Sequence, residues 1–126
     1  MMEKEVFADE HGRKLIVQVN RSNIQLHSER ADILDYRFYL DTTDLLTYLK
    51  EQATRIWKSF CPKEADSFGA DYAEFYDKAT DNNGYLDYRD EILLFESPSE
   101  ETTLLYQFNK RKMESFIYDM ESWFDL

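Results

Sequence analysis

Hydrophobic and polar positions alternate in short segments through the first third of the chain. These segments lie at 5–8, 13–19, 24–28 and 36–40, and the polar stretches DEHG and NRSN separate the first three of them. A period of two places apolar side chains on one face of a strand, and Asn and Gly are typical of the turns between strands. The pattern therefore predicts four β-strands.

The spacing of the apolar residues changes to three and four between 41 and 62. Residues with this spacing fall on one stripe of a helix. They are Leu45, Leu46, Leu49, Ala53, Ile56, Trp57 and Phe60. Thr42 or Thr43 can cap the N-terminus by accepting backbone N–H bonds, and we expect Pro62 to end this first helix.

The rest of the chain predicts two more helices and two more strands. A helix is expected over about 64–79, and another over about 110–124, with Asn109 as its capping residue. The apolar stripe of the last helix comprises Met113, Phe116, Ile117, Met120, Trp123 and Phe124. Strands are expected at 91–97 and 102–108, on either side of the turn-forming stretch PSEE.

The order of these elements is β-β-β-β-α-α-β-β-α. We predict a single compact α+β domain over 1–126, in which an antiparallel sheet of about six strands is packed by three helices on one face. A chain of 126 residues of which 43% are hydrophobic can form a core of its own.

Charge and composition narrow the expected functions. The net charge of −11 repels phosphate backbones and anionic lipids, so we expect no direct binding to nucleic acid or membranes. Cys61 is the single cysteine, and the first residues lack the pattern of a signal peptide, so we expect a cytoplasmic location. The longest apolar runs are far shorter than the roughly 20 residues of a membrane helix.

The stretch KATDNNGYLDYRDEI, from Lys78 to Ile92, resembles the calcium loop of an EF-hand. With Gly84 at loop position 6, the weak candidates for metal ligands are Asp81, Asn83, Asp87 and Asp90. Position 1 falls on Ala79, which has no side-chain oxygen, and the following segment favours a strand over the exiting helix of an EF-hand. We therefore predict no metal or other cofactor and interpret the stretch as a polar connection from helix to strand, in which Gly84 tolerates a positive φ.

Residues that could catalyse a reaction form no recognisable motif. Cys61 is predicted near a helix C-terminus, where the helix dipole disfavours the reactive thiolate. His11 is expected in a turn and His27 in a strand, without the spacing of a zinc site. The chain contains no Gly-rich phosphate loop, no G-x-S-x-G and no H-E-x-x-H. We predict that the protein is not an enzyme.

Acidic residues are concentrated in one part of the chain. Between Glu64 and Glu101 there are twelve acidic and two basic residues, whereas the other 88 residues contain fourteen acidic and thirteen basic ones. Carboxylates interspersed with tyrosines suit docking against Arg and Lys, because they combine charge-assisted hydrogen bonds with stacking. The candidate partner-binding residues are Glu64, Asp66, Asp71, Tyr72, Glu74, Tyr76, Asp77, Asp81, Asp87, Tyr88, Asp90 and Glu91.

These features predict a small acidic, non-enzymatic inhibitor that binds a basic protein. Its negative surface would imitate nucleic acid and block a nucleic-acid-binding effector or a nuclease. In size, acidity and mixed α+β pattern, the chain is similar to anti-CRISPR and other counter-defence inhibitors and to immunity proteins that neutralise nuclease toxins. Two alternatives stay open: a metal-regulated module that uses the EF-hand-like loop, and an acidic soluble adaptor whose carboxylates only keep it in solution.

Overall fold

The computed structural model describes residues 3–40, 44–64, 84–99 and 101–124. Four of the described strands form a first sheet. They are β1 (Glu3–Ala8), β2 (Lys14–Val19), β3 (Ile24–His27) and β7 (Leu104–Phe108), in the order β1-β2-β3-β7 with each neighbouring pair antiparallel. The predicted alternation is confirmed in β2, where every second residue is buried.

A second, three-stranded sheet consists of β4 (Asp35–Tyr39), β5 (Tyr85–Arg89) and β6 (Ile92–Glu96), in the order β4-β6-β5. Both of its strand pairs are antiparallel. The predicted α+β class and antiparallel pairing are therefore confirmed. The prediction of one sheet with about six strands was wrong, because the described residues form seven strands in two sheets, and β5 lies in a segment that was expected to be a loop.

Two helices are described, α1 (Asp44–Ile56) and α2 (Lys110–Phe124). The prediction that α1 runs to Pro62 was wrong: the last backbone bond of the helical type runs from Trp57 N to Ala53 O (3.0 Å), and Ser59 then takes a positive φ of 60°. A left-handed residue ends a helix by turning the chain away from its axis. Apart from Glu64, the predicted helix over 64–79 lies outside the described residues, as do the two threonines proposed as caps of α1.

The predicted cap of α2 is confirmed. The side-chain oxygen of Asn109 accepts a hydrogen bond from Lys112 N at 2.8 Å, which satisfies one of the backbone N–H groups that has no partner inside the helix. The apolar stripe that follows is buried wherever its side chains are described; these residues are Met113, Phe116, Ile117 and Met120. Amphipathic spacing therefore placed the inner face of this helix correctly.

One hydrophobic core includes residues of both sheets and both helices. On the helix side, the rings of Phe108 in β7 and Phe116 in α2 lie 5.2 Å apart, and those of Phe7 in β1 and Tyr48 in α1 lie 5.5 Å apart. Trp57 closes the end of α1 by donating its indole N–H to the carbonyl of Ser22 at 3.1 Å. The two helices thus pack on the same face of the first sheet, α1 against β1 and α2 against β7.

Asp9 joins the two sheets. Its Oδ1 accepts hydrogen bonds from the backbone N–H of His11 and of Arg13, both at 2.9 Å, and its Oδ2 accepts one from Tyr39 N in β4 at 3.1 Å. Tyr36 adds a second link, since its hydroxyl donates to the carbonyl of Lys14 in β2 at 2.6 Å. The carboxylate of Asp9 therefore both shapes the β1–β2 turn and fixes β4 beside it.

Candidate interaction surface

The described part of the acidic segment is centred on a tight hairpin. Arg89 in β5 lies opposite Ile92 in β6, so the turn contains only Asp90 and Glu91. Their φ angles are 53° and 68°, as a two-residue type I′ turn requires at both central positions. Both side chains are exposed, and within the described part of the chain neither forms a salt bridge. The hairpin thus presents two unneutralised carboxylates at its tip.

The strand alternation divides the second sheet into two faces. The residues directed to the core are Tyr36, Phe38, Leu86, Tyr88, Leu93 and Phe95. The opposite face, called here the outer sheet face, carries Asp35, Arg37, Tyr39, Tyr85, Asp87, Arg89, Ile92, Leu94 and Glu96. Strand pairing brings together residues that are more than 50 positions apart in the chain, and it makes this face a continuous surface next to the hairpin tip.

The outer sheet face combines apolar, aromatic and charged side chains. Ile92 and Leu94 lie on the central strand and are only partly buried. Arg37 and Asp87 lie on either side of Leu94 in the same cross-strand row. Partly exposed aliphatic residues flanked by Arg, Tyr and carboxylates are typical of protein–protein contact surfaces, where apolar area supplies affinity and charged groups fix the orientation.

Asp87 is held in place by its neighbours. One of its oxygens accepts a hydrogen bond from the backbone N–H of Tyr88 at 2.8 Å, and the other lies 3.4 Å from the guanidinium of Arg89. This carboxylate is therefore partly neutralised within the sheet. The charge available to a partner is carried more by the hairpin tip than by Asp87.

The structure separates two residues that were predicted to share one surface. Asp87 lies on the outer sheet face, whereas Tyr88 is the next residue of the strand and packs against the core. Burial, followed by the negative charge of Glu91, raises the pKa of Tyr88. The tyrosine that β5 contributes to the outer sheet face is Tyr85, at the end of the strand away from the hairpin tip, and it was not among the predicted residues.

The other predicted partner-binding residues fall into two groups. Glu64 is exposed in the segment that follows α1, and Asp90 and Glu91 are exposed at the hairpin tip. The remaining ones lie outside the described residues; they are Asp66, Asp71, Tyr72, Glu74, Tyr76, Asp77 and Asp81. The described geometry therefore brings Asp87, Asp90 and Glu91 together on one hairpin.

The EF-hand-like stretch has a strand where a calcium loop would turn around its ion. Asp81 and Asn83 lie outside the described residues, and Asp87 lies within β5. The described part of the chain contains no group of three or more His, Cys, Asp or Glu that could hold a metal. Gly84 is not in the left-handed region: a Cβ there would lie 1.9 Å from the carbonyl oxygen of Leu105, so close packing rather than a positive φ accounts for the glycine.

The residues considered for catalysis have structural contacts. Cys61 is exposed, and its backbone N–H donates to the buried carboxylate of Glu114 at 3.0 Å. The ring of His11 packs against Tyr39, with centroids 4.6 Å apart. Both ring nitrogens of His27 have partners: Nε2 donates to a side-chain oxygen of Gln25 (2.9 Å), and Nδ1 lies 2.8 Å from Thr103 Oγ1. The prediction that the protein is not an enzyme stays a prediction.

Sequence reasoning missed most of the outer sheet face. Arg37, Tyr39, Ile92 and Leu94 were placed in strands but not assigned to a site, because their neighbours across the sheet were unknown. The signal that could have found the hairpin is the alternation in YLDYR, which continues in ILLFE after two polar residues.

Comparisons with protein-family models, with curated proteins and with solved structures found no match. Among the described residues, no helix is both long and apolar enough to cross a membrane. The function of this chain therefore has to be argued from its own residues.

Proposed function

We propose that the protein is a small acidic, non-enzymatic inhibitor that binds a basic protein in the cytoplasm. The observation that supports this best is the pair of exposed carboxylates of Asp90 and Glu91 at the hairpin tip, beside the partly exposed Ile92 and Leu94 of the outer sheet face. Carboxylates at the rim of an apolar patch match a partner that presents Arg or Lys around an apolar contact.

The charge of the whole chain favours the same partner. A net charge of −11 raises the encounter rate with a positively charged protein and suppresses binding to nucleic acid. A partner that normally holds nucleic acid has a channel lined by Arg and Lys, and the acidic hairpin would compete for that channel. The class of function is therefore that of a nucleic-acid mimic, such as an anti-CRISPR protein or an immunity protein for a nuclease toxin.

The double variant Asp90→Asn/Glu91→Gly tests the role of the hairpin tip. It removes two negative charges and leaves Asn-Gly, the pair of residues that type I′ turns prefer, so the hairpin should be kept. After the partner has been captured on the full chain and identified, we expect it to bind the variant about tenfold more weakly, since each exposed ion pair contributes up to about 1 kcal/mol.

The matched control is Glu29→Gln/Glu51→Gln, which removes the same number of charges from two exposed positions, one in the segment after β3 and one in α1. We expect this control to bind within about twofold of the unmodified chain, because neither residue belongs to the hairpin tip or to the outer sheet face. The affinity of the unmodified chain should fall steeply as salt rises from about 50 to about 200 mM. Equal affinities of the double variant and its control for the partner would show that the hairpin tip is not part of the interface. Tight direct binding of DNA or RNA to the chain would contradict the proposed class of partner.

A further inference from the structure

One edge of the first sheet is open. Asp9 N donates to Arg13 O at 2.9 Å, so this pair is a hydrogen-bonded pair of the β1–β2 ladder. Such pairs recur at every second residue in an antiparallel ladder, and the residues between them direct their backbone groups away from the partner strand. The N–H and C=O groups of Lys4, Val6 and Ala8 therefore point away from β2, and β1 has no other neighbour among the described strands.

The same reasoning gives the direction of the backbone groups of β4, the edge strand of the second sheet that lies nearest to β1. Leu40 N donates to Glu91 O at 2.8 Å, which makes this a hydrogen-bonded pair that continues the β4–β6 ladder. The backbone groups of Arg37 and Tyr39 consequently point away from β6 and towards β1. Of these, Tyr39 N is already bound by the carboxylate of Asp9, and this bond closes one end of the space between the two edges.

A cleft of about 190 Å³ lies between these two edges. Residues 6–8 of β1 form one wall and residues 38–40 form the other, and the start of α1 contributes Asp44 and Leu45. The outward-pointing backbone donors and acceptors of Val6 and Ala8 line one wall of this cleft. An extended peptide backbone matches such a row residue by residue, which a compact ligand cannot do.

We propose that the free edge of β1 binds an extended peptide segment of a partner protein, which would become the fifth strand of the first sheet. The first half of β1 carries the charged residues Glu3, Lys4 and Glu5, which natural proteins use to protect a sheet edge from unwanted pairing. The second half is apolar, and Val6 is 53% exposed. The edge is thus protected by charge in its first half, and its second half up to the bond between Asp9 and Tyr39 carries no such protection.

The side chains along β1 define the chemistry of the segment. A residue opposite Val6 would share the exposed side of the sheet with it, where β-branched or aromatic cross-strand pairs are favourable. A residue opposite Glu5 would meet an exposed carboxylate, which favours Lys or Arg. The expected occupant is therefore an extended segment in which apolar and basic residues alternate. Of the residues that line the cleft, only Tyr39 also belongs to the outer sheet face, and neither residue of the hairpin tip is included, so the tests of this site are separate from those of the proposed function.

Selection of short random peptides displayed on phage, with the full chain as the target, tests the proposal. Val6→Pro removes a backbone N–H that points into the cleft and leaves the β1–β2 hydrogen bonds in place, since proline is tolerated in an edge strand at outward-pointing positions. Val6→Thr is the matched control, because it keeps the β-branched shape and the N–H. We expect enriched peptides with the alternating pattern, which bind Val6→Thr within about twofold and Val6→Pro about tenfold more weakly than the unmodified chain.

A measurement on the peptide side does not depend on how well Val6→Pro folds. N-methylation of every second residue in a selected peptide should abolish binding in one of the two possible sets and leave it within about threefold in the other, because only one set faces β1. The proposal is overturned if no peptide is enriched, if Val6→Pro binds as well as Val6→Thr, or if both N-methylated sets bind equally. A dimer of the full chain that Val6→Pro dissociates in sedimentation would also overturn it, since the edge would then be occupied by a second copy.

Discussion

Of the two glycines that the structure describes, Gly84 is the one where an added methyl group should be damaging. It is buried at the start of β5, and a Cβ built there lies 1.9 Å from the carbonyl oxygen of Leu105 and 2.5 Å from that of Glu96. Both contacts are with backbone atoms, which cannot rotate away as the end of a long side chain can. Gly84→Ala therefore forces β5 away from β7 and from the end of β6.

The size of the effect follows from these distances. Before the closest contact reaches 3.0 Å, the shortest separation that real Cβ atoms show, the backbones must move apart by more than 1 Å. Overpacking alone costs roughly 1–3 kcal/mol, and each backbone hydrogen bond weakened by the shift adds about 1 kcal/mol. We expect a loss of about 4 kcal/mol, a large part of the 5–15 kcal/mol typical of a whole domain.

Gly12→Ala is the control for this prediction. Gly12 has a φ of +80°, and a Cβ there meets nothing within 4 Å, so only the backbone conformation disfavours alanine. The expected cost is about 1 kcal/mol. In urea unfolding followed by circular dichroism, the midpoint of Gly84→Ala should fall by roughly 2 M and that of Gly12→Ala by about 0.5 M. Equal losses in the two variants, or a loss below about 1 kcal/mol in Gly84→Ala, would refute the reasoning.

Three further substitutions test the polar interior. Asp9→Asn sets an amide N–H₂ against Tyr39 N, and we expect a loss of about 2 kcal/mol at pH 7. Burial raises the pKa of Asp9, but its backbone hydrogen bonds outweigh burial and hold the pKa below 3.8. The stability that the ionised Asp9 contributes is therefore complete above pH 3.8 and is lost as the pH falls through the folded-state pKa. The acid unfolding curves of Asp9→Asn and the unmodified chain should consequently converge. Ser115→Ala removes a buried hydroxyl that has no hydrogen-bond partner among the described residues, and urea unfolding should show a gain of about 1 kcal/mol. Burial lowers the pKa of His27 below 6.5, so the unmodified chain should lose stability as the pH falls from 6.5 through the folded-state pKa, whereas His27→Gln should lose less; identical pH profiles would contradict this.

Elements that repeat an apolar residue at a fixed spacing could be predicted from the sequence. The apolar stripes of α1 and α2 were predicted correctly because a helix with one buried face repeats apolar residues at spacings of three and four. The cap of α2 was predicted from Asn109, which directly precedes that pattern. The end of α1 could not be found in the same way. The left-handed conformation of Ser59 stops the helix before Pro62, and serine gives no sequence signal for that conformation.

The arrangement of strands into two sheets depends on contacts that no local pattern records. The carboxylate of Asp9 binds a backbone group 30 residues away, and the hydroxyl of Tyr36 binds one 22 residues away. A carboxylate in the turn DEHG looks like any other polar turn residue in the sequence. The outer sheet face was missed for the same reason, since β4 and the β5–β6 hairpin come from separate parts of the chain.

The hairpin at Asp90 and Glu91 was missed because its turn residues break the usual rule, and this departure bears on function. A left-handed conformation costs an L-residue other than glycine roughly 1–2 kcal/mol, and Asn-Gly would form the same turn with less strain. Residues that keep a locally unfavourable conformation often serve a purpose other than stability. The variant Asp90→Asn/Glu91→Gly distinguishes a role of these residues in stability from a role in binding. It should raise the free energy of unfolding by about 1 kcal/mol while it weakens binding to the basic partner. A variant that gains stability and keeps its affinity would show that the carboxylates at the tip serve neither purpose.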